Sequence, residues 1–125
     1  MEGLCKKGVI VLEIGIHGIP VTKPQDYYDN LFSAALKDYW MNGCNNRDRS
    51  YYKHVITGCI RAIDFLESTP SLSLLSSWDG KNLGVCGSSQ GGFLTIATTA
   101  LDKRVTCYAP VHAAMCDHEA ALKKV

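Results

Sequence analysis

Gly87-Ser88-Ser89-Gln90-Gly91 sets a serine between two glycines, each two positions away, in a G-x-S-x-G spacing. A serine hydroxyl becomes a useful nucleophile when it is held clear of the backbone, next to a base and beside donors that can stabilise an oxyanion. The apolar run Leu83-Gly84-Val85-Cys86 leads directly into the motif, and a helical pattern from Phe93 to Leu101 follows it. The serine therefore belongs on a sharp strand-to-helix turn, the setting of a nucleophile elbow. Such a turn forces its central residue into a strained backbone conformation. The residues two before and two after crowd the bend, which accounts for glycine at 87 and 91. Ser89 is the candidate nucleophile of an acyl transfer, and the backbone N–H of Gln90 at the start of the helix is the candidate oxyanion donor. The competing reading is a Gly/Ser-rich turn without chemistry, or one that binds phosphate; neither the G-x-G-x-x-G pattern nor the P-loop pattern is met.

Holding that turn requires a sheet and helices. Gly8 to His17 is nearly continuous aliphatic sequence and reads as a strand buried on both faces, ended by Gly18-Ile19-Pro20. Tyr28, Leu31, Phe32, Ala35 and Tyr39 recur at helical spacing and predict an amphipathic helix over about Gln25 to Trp40. A second helix is expected from Tyr51 to Glu67, with Tyr52, Val55, Cys59, Ile63 and Leu66 on one stripe, Asp48 or Ser50 as cap, and Thr69-Pro70 as stop. Ser71 to Ser77 reads as a surface loop, and Trp78-Asp79-Gly80-Lys81 as a turn into the strand Leu83 to Cys86. Beyond the Phe93 to Leu101 helix and the Asp102-Lys103-Arg104 turn, Val105 to Ala109 reads as a third buried strand stopped by Pro110. The tail Ala113 to Lys124 has helix-forming composition. This order implies an α/β layer on a mostly parallel sheet, in one domain over residues 1–125.

Composition narrows the classes. The chain is 46% hydrophobic and 20% charged over 125 residues, which excludes disorder. Its net charge of +1 gives no electrostatic case for nucleic acid or an anionic membrane surface. No apolar run reaches the ~18 residues that span a bilayer. Met1 to Lys7 lacks the pattern of a signal peptide, so the location stays open. Cys5, Cys44, Cys59, Cys86, Cys107 and Cys116 form no C-x-x-C pair and no zinc spacing. They read as reduced thiols, with Cys59, Cys86 and Cys107 buried, and no metal is expected.

Arg61-Ala62-Ile63-Asp64-Phe65-Leu66, Trp78-Asp79-Gly80-Lys81-Asn82-Leu83, Gly87-Ser88-Ser89-Gln90-Gly91-Gly92 and Leu101-Asp102-Lys103-Arg104-Val105 occur in this order, with Tyr51-Tyr52 before them and Cys116-Asp117-His118 after. Together they resemble acetyl xylan esterases of the cephalosporin-C deacetylase type, within the α/β-hydrolase superfamily, from about Lys7 to Leu122. Ser71 to Ser77 looks like a small insertion relative to that family. The resemblance implies removal of acetyl groups from acetylated xylan or small acetylated sugars through an acyl-enzyme on Ser89. A histidine would act as base, a carboxylate would orient it, and no cofactor or metal takes part. In the superfamily the acid and the histidine follow the nucleophile. Only 36 residues follow Ser89, which does not reach the later strands that carry them in the family.

The expectation is thus a partial α/β-hydrolase fold, truncated at both ends, with the triad acid and histidine not in this chain. The isolated 125 residues should then hydrolyse acetyl esters at or near background, and strands left unpaired would favour self-association. Lys7 to Val11 running into His17-Gly18 matches either the family's central strand, which puts the oxyanion strand ahead of Met1, or the oxyanion strand itself, which makes the Ile19 amide a second donor. The first is the better match. A serine peptidase or general acyl-ester hydrolase of the same fold, or a catalytically inactive truncated domain, are the alternatives.

Other polar residues read as structural. His17 is expected to hydrogen-bond at a strand end, His54 to be solvated, and His112 and His118 to be structural or to line the pocket. A self-contained Ser89–His118–Asp117 triad is disfavoured, since adjacent side chains rarely face one another. Arg61 and Asp64 have the spacing of a helical ion pair. Asp102 and Arg104 belong to a turn. Tyr27, Tyr28, Tyr51, Tyr52, Trp40 and Trp78 read as core before sugar-stacking surfaces.

Overall fold

A computed structural model describes residues 2–68 and 78–116. Its elements are α1 (Glu2–Cys5), α2 (Gln25–Ser33), a 3₁₀ turn (Tyr39–Met41), α3 (Tyr51–Ser68), β1 (Gly84–Ser88), α4 (Gln90–Leu101) and β2 (Cys107–Val111). β1 and β2 pair in parallel, in register from Gly84↔Cys107 to Ser88↔Val111. α4 is the crossover between them and packs on both, and α3 packs on α4. The expected mostly parallel α/β layer is present in part, with two strands among the described residues.

The core lies between α3 and α4. Val55, Cys59 and Ile63 recur every four residues, so one face of α3 carries all its buried side chains. Val55 and Cys59 meet Leu94 of α4, with Ile16, Tyr51, Ile56 and Phe93 packed around them. α4 also buries Thr95 and Thr98. Thr95 donates its hydroxyl back to Gly91 O at 2.8 Å, and Thr98 hydrogen-bonds the Cys59 thiol, so neither buried hydroxyl is orphaned. Burial pushes the Cys59 thiol up, which keeps it protonated and inert.

Several expectations need correction. α2 ends at Ser33, not near Trp40, because the chain leaves the helix and Asp38 takes a left-handed conformation (φ 50°) before the 3₁₀ turn. The Gly8–His17 run is not a strand. No strand pairs with it among the described residues, and Val9, Ile10, Leu12 and Ile14 stay 39–46% exposed; aliphatic content favours a strand, but a partner makes one. Cys86 and Cys107 are exposed, not buried, since a sheet of two strands with α4 on it has too little to cover them. β2 runs through Pro110. The Ser89 N–H donates to Val111 O at 2.9 Å and the Cys107 N–H to Leu83 O at 3.3 Å. Residues 107, 109 and 111 therefore face β1, and the missing N–H of Pro110 lies on the outer edge, where proline is tolerated. Residues 113–116 are irregular where a helix was expected. The Ser71–Ser77 loop and the tail from Asp117 lie outside the described residues.

One guanidinium ties α3 to the α4–β2 connection. Asp102, 7% exposed, follows α4 directly and accepts from Arg104 Nε at 2.9 Å and Nη2 at 2.6 Å. Arg104 also reaches Asp64 and Glu67 of α3, each at 2.7 Å. Asp64 thus pairs across the fold with Arg104, not along the helix with Arg61 as its spacing suggested. The hydrogen bonds from Arg104 hold the Asp102 carboxyl below the usual carboxylate range. A carboxylate favoured in the folded state contributes stability above its ordinary pKa of about 3.9 and loses it as pH falls through the lower native value. Thermal melts across a pH series should show Asp102→Asn melting lower than wild type at neutral pH, with a shallower fall below about pH 4. An unchanged acid limb would show that the stability lost in acid comes from elsewhere.

Candidate active site

β1 ends at Ser88 and α4 begins at Gln90, so Ser89 alone makes the turn. Its φ of 54° and ψ of −116° lie where an L side chain is strained, at a cost on the order of 1–3 kcal/mol. Backbone hydrogen bonds hold it there. Its N–H donates to Val111 O at 2.9 Å, and its C=O accepts from Phe93 N–H at 3.2 Å and Ala114 N–H at 2.9 Å. A Cβ at Gly87 would stand 2.5 Å from Gly91 O, which makes glycine obligatory there. A Cβ at Gly91 would meet nothing within 4 Å, so the crowding expected of both glycines falls on Gly87 alone. Gly92 carries the second restriction: its Cβ would lie 2.9 Å from Val111 O, and glycine lets the start of α4 close over the end of β2.

Ser89 is exposed, and its hydroxyl has no hydrogen-bond partner among the described residues. Among the described residues the N–H of Gln90 is also unpartnered, as the first amide of a helix is. The two groups follow one another in the chain, at the positive end of the α4 dipole. An oxyanion formed by attack of Ser89 would develop where that amide can reach it.

The side chain of Gln90 points elsewhere. Tyr39 donates its hydroxyl to Gln90 Oε1 at 2.9 Å, and Gln90 Nε2 donates to the Tyr52 hydroxyl oxygen at 3.4 Å. Tyr52 in turn donates to Met115 Sδ. Tyr39 stands edge-on to His17, with ring centroids 4.8 Å apart, and 5.0 Å from Tyr51. His17 Nδ1 shares a hydrogen bond with the Tyr51 hydroxyl, and burial lowers its pKa, which keeps the ring neutral. Burial, and then the neighbouring Tyr39, push the Tyr51 and Tyr52 phenols up, so both remain O–H groups.

The described histidines do not converge on the serine, in keeping with none of them being assigned as its base. His17 makes its hydrogen bond as anticipated, though at the end of an unpaired segment. His54 is exposed on α3 and His112 is exposed after β2. No hydrogen bond joins either to Ser89, and Asp117 and His118 lie outside the described residues. Two concavities, of about 290 and 510 Å³, are lined by other residues: Trp78, Leu83 and Arg104 at the starting ends of the strands, and Cys44, Ser50 and Tyr52 beside α3. Ser89 lines neither. The side-chain roles of Tyr39 and Tyr52 and the packing of Gly92 were missed in the sequence. Within the family resemblance, the Tyr51-Tyr52 pair and the second glycine of Gly91-Gly92 are the signals that point to them.

Residues 3–124 match the acetyl xylan esterase (AXE1) family. The chain belongs to that family. It is also 41% identical over 114 residues to the acetyl esterase Axe7A of Xylanibacter ruminicola, a match covering 90% of this chain and 25% of that protein. The chain thus spans about a quarter of the length of this curated relative. No solved structure matches. Within this acetyl xylan esterase family segment, the two described strands, α4 and α3 are the elements that position the Ser89 turn.

Proposed function

We propose that this acetyl xylan esterase family member serves as the nucleophile-bearing part of a carboxylic-ester hydrolase, removing acetyl groups from acetylated xylan or small acetylated sugars. Ser89 Oγ attacks the acetyl carbonyl carbon and gives its proton to a base. The carbonyl electrons collect on the oxygen as an oxyanion, which the Gln90 N–H stabilises. The C–O bond to the sugar breaks, the sugar oxygen takes the proton, and acetyl-Ser89 remains. Water then attacks the acyl-enzyme and releases acetate. The base and its orienting carboxylate are assigned to residues outside this chain. The observation that supports this most is the pairing of an exposed hydroxyl on a strained turn with the free amide next to it. The acetyl preference rests on family membership and on the acetyl esterase relative.

Incubation of the chain with excess 4-nitrophenyl acetate should acetylate Ser89 slowly for want of its base, the site located by peptide mapping, with no turnover above background. The matching butyrate ester and an acetyl anilide should react more slowly. Acetyl groups found only on cysteines and lysines would sink the proposal, and preference for the anilide would favour the peptidase reading.

A further inference from the structure

We propose that the Gln90 carboxamide is a tether, and that Tyr39 and Tyr52 are positioning residues that hold the Ser89–Gln90 peptide with its N–H aimed at the oxyanion. This rests on the role given to Ser89 above. A side chain at the first position of a helix commonly turns out to solvent. That of Gln90 turns back, and both ends of its amide are used. The hydrogen bonds run in one direction: Tyr39 O–H to Gln90 Oε1, Gln90 N–H to the Tyr52 oxygen, Tyr52 O–H to Met115 Sδ. The Gln90 carboxamide thus sits between two phenols, accepting from Tyr39 at 2.9 Å and donating to Tyr52 at 3.4 Å. The four residues come from the 3₁₀ turn, α4, α3 and the segment after β2.

The device answers a specific problem. The peptide that carries the Gln90 N–H follows a residue at φ 54° and ψ −116°. Rotation of that peptide would relax the strain and swing the N–H away. Anchoring the Gln90 side chain to two other segments opposes the rotation from the far side of the same residue. A donor fixed before the charge develops needs no reorganisation when the charge appears. Tyr39 is itself wedged by His17 and Tyr51 at centroid distances of 4.8 and 5.0 Å, which gives the tether a stiff anchor.

The test compares Tyr39→Phe, Tyr52→Phe and Gln90→Leu with wild type, using a fluorophosphonate probe and site-resolved amide hydrogen exchange. Each phenylalanine should slow the covalent step at saturating probe about fivefold, and Gln90→Leu about thirtyfold, with probe affinity unchanged. Adding Tyr39→Phe to Gln90→Leu should cost nothing further, since the bond is already gone. Exchange at the Ser89 and Phe93 amides should quicken while the middle of α4 keeps its protection. Uniformly faster exchange with wild-type labelling would reduce the tyrosines to packing and overturn the proposal, as would additive losses in the double variant. If wild type takes no probe, the serine is unreactive in this chain, and exchange at Ser89 and Phe93 still decides the tether: unchanged rates in Gln90→Leu refute it.

Discussion

Ser89→Gly should give a chain that no fluorophosphonate labels and that melts above Ser89→Ala. The hydroxyl is gone in both, so labelling falls to background in both. The backbone separates them. At φ 54° and ψ −116° an alanine keeps the same clash of Cβ with its own chain as serine, whereas glycine enters that region freely. Relief of about 1–3 kcal/mol of strain is opposed by about 0.5–1 kcal/mol of extra unfolded-state entropy. The net expectation is about 1 kcal/mol in favour of glycine, a difference of a few degrees in melting temperature. Equal melting temperatures for the two variants would mean that the turn stores no strain. Residual labelling of either, mapped to another residue, would move the reactivity away from Ser89.

Gly87→Ala should be the most destabilising single substitution at the site. The new Cβ would lie 2.5 Å from Gly91 O and 2.6 Å from Gly91 C, so backbone, not a flexible side chain, must give way. Neither partner is free to move. Gly87 is locked opposite Pro110 in the β1–β2 ladder, and Gly91 belongs to the first turn of α4. Overpacking of this kind costs about 1–3 kcal/mol or more, and any shift of α4 displaces the Gln90 amide. Urea denaturation should show a loss of about 3 kcal/mol, and probe labelling should fall by about 100-fold, the cost of losing an oxyanion donor. Gly91→Ala is the control. Nothing lies within 4 Å of its Cβ, and alanine in a helix gains up to about 1 kcal/mol over glycine. Equal damage at 87 and 91 would contradict the one-sided crowding.

The parts of this fold that were legible in the sequence are those whose signals are local. α3 is found from Tyr51 to Ser68, against an expected end at Glu67, because its stripe of Val55, Cys59 and Ile63 needs only helical spacing to be seen. β1, the turn and α4 follow from an apolar run meeting a small-residue motif and a second helical pattern. What failed depended on neighbours. Gly8 to His17 has strand composition but pairs with no strand among the described residues, so most of it stays exposed. The apolar surroundings of Cys86 and Cys107 point to burial, but sequence does not say how many layers cover a sheet, and both are exposed. Pro110 looked like a stop, and only the phase of the ladder reveals that its missing donor faces outward. The Tyr39–Gln90–Tyr52 chain spans 51 and 38 residues of sequence between its members, and no local pattern encodes it.

Ser89 gives both its main-chain groups to other segments: its N–H to Val111, its C=O to Phe93 and Ala114. A reactive group carried on a loop can loosen, lose activity and recover while its scaffold stays intact. This one is the junction through which two parallel strands and their connecting helix are stitched together. On the proposed role, its reactivity presupposes the cooperative fold, so labelling of the intact serine by a covalent probe would report that this junction is native.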